Sequence, residues 1–218
     1  MLRLSILGGT GPEGRGIAMR LAMAGHAVCI GSRDEAKALD IAIDLSNSIG
    51  VHIIGLDNAN AAKEGEVIFV TVPYDAQCAV LQSVEEDLAG KIIVNVVAPM
   101  KFTKEVGAAA IDVEIGSAAQ ESQSLCSDSY VVSALQNVSA ENLEDPDKIL
   151  DEDVIVCSDH KDSKEIVMDL IRNIDTLRPI DGGALSNSKY VEQLTPLLVN
   201  INRIYKMHSG IKITGIEN

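Results

Sequence analysis

The residues with most chemical content lie within the first forty positions. Gly9-Thr10-Gly11-Pro12-Glu13-Gly14 is a G-x-G-x-x-G run, a spacing that presents backbone amides and a helix N-terminus to a pyrophosphate. In such a run Gly9 permits the tight turn, Gly11 lets phosphates approach the backbone, and Gly14 allows close helix–strand packing. Pro12 suits the first helical turn but donates no amide hydrogen. Glu13 places a carboxylate near the phosphates, which is unusual. About twenty residues on, Ser32-Arg33 closes a short apolar stretch, with Lys37 one turn into the segment that follows. A carboxylate at that point would accept hydrogen bonds from ribose hydroxyls. A hydroxyl beside a planar cation suits a 2′-phosphate instead, so the site is expected to select NADP(H) over NAD(H), with Thr10 and Lys37 in support.

The rest of the chain offers no metal-ligand set, no Ser-His-Asp arrangement and no paired-carboxylate motif, so no catalytic acid, base or metal ligand is expected. His26, His52, His160 and His208 are isolated, and Cys29, Cys78, Cys126 and Cys157 form no C-x-x-C pair. The cysteines fit free thiols in a reducing compartment. Hydride transfer between two redox rings accounts for this economy, because it needs proximity and orientation while the cofactors carry the chemistry. The 218 residues suit one domain, or one with a small appendage. A formal net charge of −14 argues against nucleic acid as a partner and requires local cations to attract any phosphorylated ligand. No apolar run reaches the roughly 20 residues that span a bilayer. The N-terminal glycines interrupt any signal-peptide core. A soluble, cytoplasmic protein without membrane contact is expected.

Positioning these residues requires alternating strands and helices. Residues 2–7 read as a buried strand, 12–24 as an apolar-periodic helix, 27–31 as a second strand and 34–49 as the next helix. Residues 52–56, 66–73 and 91–99 read as further strands, with a helical stretch over 76–84. The continuous apolar run of 66–73 is the mark of a parallel strand covered on both faces. This alternation predicts an α/β fold, a Rossmann-type doubly wound parallel sheet with right-handed crossovers. Beyond Pro99, residues 118–126 read as a helix, 130–135 and 154–157 as strands, and 162–174 as an amphipathic helix. Nine carboxylates against two lysines between 141 and 162 read as a solvated acidic loop. In the segment 183–207, Val191, Leu194, Leu198, Ile201 and Tyr205 recur at helical spacing. Pro196 should bend that helix or remove one of its hydrogen bonds. Its apolar stripe needs cover, and a partner subunit is the expected cover.

The stretches ILGGTGPEGRGIAMRLAMAGHAVCIGSRDEAKA (6–38) and RPIDGGALSNSKYVEQLTPLLVNI (178–201) together resemble the F420-dependent NADP oxidoreductases, over essentially the whole chain. The resemblance implies reversible hydride transfer between C4 of the nicotinamide and C5 of an 8-hydroxy-5-deazaflavin, coenzyme F420. It also implies a Rossmann domain, here residues 1–135, followed by a small C-terminal α+β domain, residues 136–218, that closes the cofactor cleft and contributes to a homodimer. On the NADP(H) side the resemblance places Thr10, Pro12, Glu13, Ser32, Arg33, Lys37, Val72, Pro73, Tyr74, Ala98 and Pro99. On the second-cofactor side it places Gln136, Val138, Lys189, Gln193 and Thr195. Three of these depart from the family pattern: Gln136 stands where histidine is frequent, Lys189 where arginine is, and Gln193 where serine is. Lys189 keeps the charge but loses bidentate geometry, and Gln136 hydrogen-bonds without becoming cationic. Two alternatives remain open. NADPH would reduce another acceptor (a flavin, a ferric complex, or a small carbonyl or imine), since membrane-anchored ferric reductases resemble the same front half. Otherwise the chain would be a non-catalytic NADP(H)-sensing module that uses its acidic segment as a contact surface.

Overall fold

A computed structural model describes residues 1–174 and 176–216. Five strands are laid down in the first hundred residues: β1 (Arg3–Leu7), β2 (Ala27–Ser32), β3 (Ile53–Asp57), β4 (Val67–Val70) and β5 (Ile92–Asn95). Between them run α1 (Pro12–Met23), α2 (Glu35–Ile49), α3 (Asn58–Glu64) and α4 (Tyr74–Leu88). An antiparallel hairpin, β6 (Met100–Thr103) and β7 (Gly107–Ala110), precedes α5 (Ala118–Leu125) and β8 (Tyr130–Ser133). The remainder comprises α6 (Ala140–Glu144), β9 (Asp153–Val156), α7 (Lys161–Arg172), β10 (Arg178–Asp181), a 3₁₀ turn at Leu185–Asn187, and α8 (Ser188–Tyr205).

The main sheet has six strands in the order β3-β2-β1-β4-β5-β8, every neighbour pairing parallel. β4 (VIFV) and β5 (IIVN) are buried at every position, which is why their sequences carry no polar alternation. One face of the sheet packs its larger core against α1 and α2. Ile17 and Leu21 of α1 join Leu143, Val154, Val156, Val167 and Ile171 from the later chain in that core. The other face packs Leu7, Ile68 and Ile93 against α3, α4 and α5 through Ala61, Leu81, Val84 and Ala119. The strand order reverses between β1 and β4, so the crevice where a doubly wound sheet receives its ligand opens at their C-terminal ends.

Three features differ from the sequence expectations. The 141–162 segment is not a solvated acidic loop throughout. Beside the expected strand, β9, it contains α6, and it buries Glu152 and Asp153. Asp153 tolerates burial because Arg178 grips it through Nε and Nη2, both at 2.8 Å, which lowers its pKa. The α8 helix continues through Pro196, which has no amide hydrogen to donate, so its passage there is within the expectation. It also carries an apolar stripe besides the expected one: Tyr190, Leu197 and Ile204 are 67%, 54% and 73% exposed. Finally, α3, the β6–β7 hairpin, α6 and β10 were not read from the sequence.

Candidate active site

The glycine turn follows β1. Gly8, not Gly9, takes the left-handed conformation, at φ 71°. A side chain on Gly14 would bring a Cβ within 2.5 Å of Gly9 Cα, the tight helix–turn packing expected there. By contrast nothing lies within 4 Å of a Cβ on Gly11, so this backbone is open towards the crevice. Asn58 of α3 accepts from the Gly8 amide at 3.3 Å and holds the turn from beneath.

At the end of β2, Ser32 is buried and Arg33 and Lys37 are exposed. The nearest carboxylate, Asp34, is engaged as the N-cap of α2, accepting from the Lys37 amide at 3.2 Å. That bond ties the acid to its own helix, and Arg33 and Lys37 line the crevice beside it.

All of this opens into one cavity of about 1350 Å³. Thr10, Gly11, Pro12, Glu13, Ser32, Arg33 and Lys37 line it from the β1 and β2 side. Val72, Pro73, Tyr74 and Ala98 line it after β4 and β5. Gln136, Val138 and Thr195 line it from the later chain. Gly9 and Gly14 lie inside the turn behind this surface. Pro99, Lys189 and Gln193 do not join them. They border a separate, small depression with Glu192, Asp112 and Gly116. Lys189 and Gln193 therefore face away from the cavity that Thr195 of the same helix reaches.

Sequence reasoning missed Asn58, Asn137, Arg203, Lys206 and His208, which also line the cavity. The three basic residues stand at the C-terminal end of α8 and just beyond it, with His208 2.9 Å from Glu141. The need for local cations in an acidic chain was the signal that could have found them.

Beyond β8 the chain turns sharply. Leu135 is buried in the left-handed region at φ 75°, a strained state for a γ-branched residue. The Val138 amide closes the turn on the Leu135 carbonyl at 3.1 Å. Thr195 of α8 donates its hydroxyl to the Gln136 carbonyl at 2.8 Å, so its role in the structure is to fix this turn. From Gln136 a buried chain of amides runs inward. Gln136 donates to the Asn95 carbonyl and Ser133 Oγ, each at 2.8 Å, and Asn95 donates to Gln77 and Ser122 at the same length. Gln77 in turn donates to Glu121 at 2.9 Å.

Two buried carboxyls, Glu13 in the cavity and Glu192 beside the small depression, have raised pKa values. Burial, reinforced by the charges of Glu152 and Glu144, raises Glu13 from 4.5 to about 8. Burial raises Glu192 to about 7, although the amides of Ala118 and Ala119 that it caps pull the other way. At neutral pH Glu13 is thus an uncharged group beside the anion-binding turn, which resolves the oddity of a carboxylate there.

Comparison with known proteins identifies relatives of the whole chain. Residues 3–99 match the family described as NADP oxidoreductase, coenzyme F420-dependent. The chain is similar to the F420-dependent NADP reductase of Methanocaldococcus jannaschii, 39% identical over 99% of this chain and 100% of the relative. It is also similar to the enzyme of the same name from Methanothermobacter marburgensis, 38% identical over 99% of each. The crystal structure of a candidate F420-dependent NADP-reductase from Arthrobacter sp. FB24 superposes with a TM-score of 0.86 at 25% identity, covering 98% of this chain and 100% of that one.

Proposed function

The chain belongs to the F420-dependent NADP oxidoreductase family, and from that premise we propose that it transfers hydride reversibly between NADP(H) and coenzyme F420. One observation carries the reading: a single cavity joins the Arg33 end of the sheet to the Gln136–Val138 turn, so two cofactors can share it. The residues present fit NADP(H). Arg33, Lys37 and Ser32 suit the 2′-phosphate, and the amides around Gly11, with neutral Glu13, suit the pyrophosphate. Val72, Pro73, Tyr74 and Ala98 then border the path towards the nicotinamide. Val138, Thr195 and Leu198 border the deazaflavin. Arg203 and Lys206 offer the cations its anionic chain requires, in place of Lys189.

When bound, the two cofactors supply the redox chemistry. The protein orients the rings, excludes water and balances charge, and no side chain need form a covalent bond. Residues 1–135 hold NADP(H), and residues 136–218 close the cleft. The stripe formed by Tyr190, Leu197 and Ile204, seven residues apart, supports a homodimer. No helix among the described residues is long and apolar enough to cross a membrane, and a cytoplasmic location fits the free thiols.

The test is stopped-flow mixing of the protein with NADPH and oxidised coenzyme F420, following loss of the deazaflavin absorbance. Arg33→Ala should raise the NADPH KM about 10- to 100-fold, the worth of charge-assisted hydrogen bonds to one phosphate, with kcat nearly unchanged. No bleaching by a protein that binds NADPH would sink the proposal.

A further inference from the structure

Residues 206–216 leave α8 through Lys206, which is in the left-handed region at φ 53°, and run back across the start of β9. None of them is fully buried, so apolar packing alone does not hold this strap. Polar contacts hold it instead. Ser209 donates its amide and its hydroxyl to Asn202 Oδ1 of α8, at 2.8 and 2.6 Å. Gly210 lies against the buried Glu152, where an added Cβ would stand 2.2 Å from Oε2 and 2.8 Å from Cβ of that side chain. The Ile211 carbonyl accepts from the Asp153 amide at 2.7 Å. Lys212 pairs with Asp151 at 2.5 Å, an exposed contact of little weight. Ile213 is held at both backbone atoms. Its amide donates to Asp153 Oδ2 at 2.6 Å, and its carbonyl accepts from Arg178 Nη2 at 2.7 Å. Arg178 Nη1 reaches on to the Ile216 carbonyl at 3.1 Å. The Asp153–Arg178 pair is therefore a clasp with two jaws: the carboxylate takes the N–H, and the guanidinium takes the C=O, of one residue.

The near end of the strap, Lys206 to Ser209, lines the cofactor cavity, whereas Asp153 and Arg178 do not. We infer that Asp153 and Arg178 are positioning residues for the hydride transfer: by clasping the strap at Ile213 they set its Lys206–Ser209 wall against the second cofactor. The inference rests on coenzyme F420 occupying the α8 side of the cavity as proposed above. Chain length supports it. From Ser209 to Ile213 is four residues, at most about 14 Å of chain, so the clasp acts on the wall through a short tether. Energetics support it too. With the clasp open, the wall keeps only exposed or half-buried polar contacts, Ser209 on Asn202 and His208 on Glu141. A segment so held opens locally at little cost. A ligand lying against it must then order it on binding, and ordering even one released residue is worth about 10-fold in affinity. That penalty falls on the ligand that faces the strap and spares the one held at β1 and β2.

The test uses Arg178→Lys and, separately, Gly210→Val in the full chain. Lysine keeps a positive charge beside Asp153 but has no fork to span the Ile213 and Ile216 carbonyls. Valine displaces the strap from Glu152 and leaves the ion pair untouched. Hydrogen exchange read by mass spectrometry should show the 206–216 amides exchanging at least about 10-fold faster in both variants, while β1 and β4 stay as protected as in wild type and show that each variant is folded. The KM for coenzyme F420 should rise about 10-fold in both, with kcat and the KM for NADPH nearly unchanged. Strap exchange that stays at the wild-type rate in both variants would overturn the clasp. Faster exchange with an unchanged KM for coenzyme F420, or an equal rise in both KM values, would overturn its positioning role. A wild type that binds NADPH and leaves coenzyme F420 unreduced would instead refute the proposed function, and with it the place of the deazaflavin at this wall, whatever the exchange shows.

Discussion

Replacing Glu13 by glutamine should flatten the alkaline side of the stability curve. The folded protein raises this carboxyl from 4.5 to about 8, so between those values it keeps a proton that the unfolded chain releases. The contribution is therefore fully present below pH 4.5 and is lost as pH climbs through 8. Each unit in that window removes about 1.36 kcal/mol. From pH 6 to 8 the loss from this one group is about 2 kcal/mol, a large share of the 5–15 kcal/mol that typically holds a domain together. Glutamine has nearly the same shape and no proton to lose. Urea unfolding of the ligand-free protein at pH 6, 7, 8 and 9 reads the effect directly. The gap between Glu13→Gln and wild type should widen by about 2 kcal/mol from pH 6 to 8, in favour of the variant, and then level off. NADPH affinity should behave likewise, falling above pH 8 in wild type as a charge appears beside the phosphates and holding in the variant. Stability curves that stay parallel from pH 6 to 9 would refute the argument, since they would mean that Glu13 titrates alike in both states.

Two further outcomes test the frame around the site. Arg20 is a buried arginine of α1 whose guanidinium donates to the carbonyls of Asn142, Leu143, Asp145 and Lys148. Arg20→Met should cost at least about 3 kcal/mol in urea unfolding, because several buried carbonyls lose their donor, and a loss under 1 kcal/mol would show that the loop is held some other way. The proposed homodimer is tested on α8: wild type should sediment as a dimer and Leu197→Lys as a monomer, with NADPH binding intact. A wild type that sediments as a monomer, or a variant that remains a dimer, would refute this role of the stripe.

What could be read from the sequence follows from where the information sits. The parallel strands were legible because burial on both faces demands runs such as VIFV. The glycine turn and Ser32-Arg33 were legible because their chemistry is local. α3 escaped notice because it has seven residues and no apolar period, and only the Asp57 side chain accepting from the Asn60 amide marks its start. β10 escaped because RPID contains a proline and two charges. It is a strand only because Asp153, twenty-five residues earlier, pairs with Arg178 in register. The same pairing makes part of the acidic segment buried, a fact that no count of carboxylates contains. The family resemblance places Lys189, Gln193 and Thr195 together on the second-cofactor side. The rotation that brings Thr195 to the Gln136 carbonyl turns the other two to another face.

Charge ties the site to the whole chain. A formal −14 implies a field hostile to two anionic cofactors, yet that count assumes that every carboxyl is ionised. Glu13 and Glu152 lie close enough for the charge of Glu152 to raise the pKa of Glu13, and burial brings them to about 8 and about 7. Near neutrality the first is therefore protonated and the second partly so, at the very turn where phosphate would be repelled most. Arg33 and Lys37 at β2, and Arg203 and Lys206 at the end of α8, add positive charge at the same cavity. These four cations share the crevice lining with Asp34 and Glu141, and low-dielectric walls strengthen whatever charge faces a ligand there. On this account a rise in ionic strength should weaken NADPH binding only modestly, because the attraction comes from charges within contact distance and not from the net charge of the molecule.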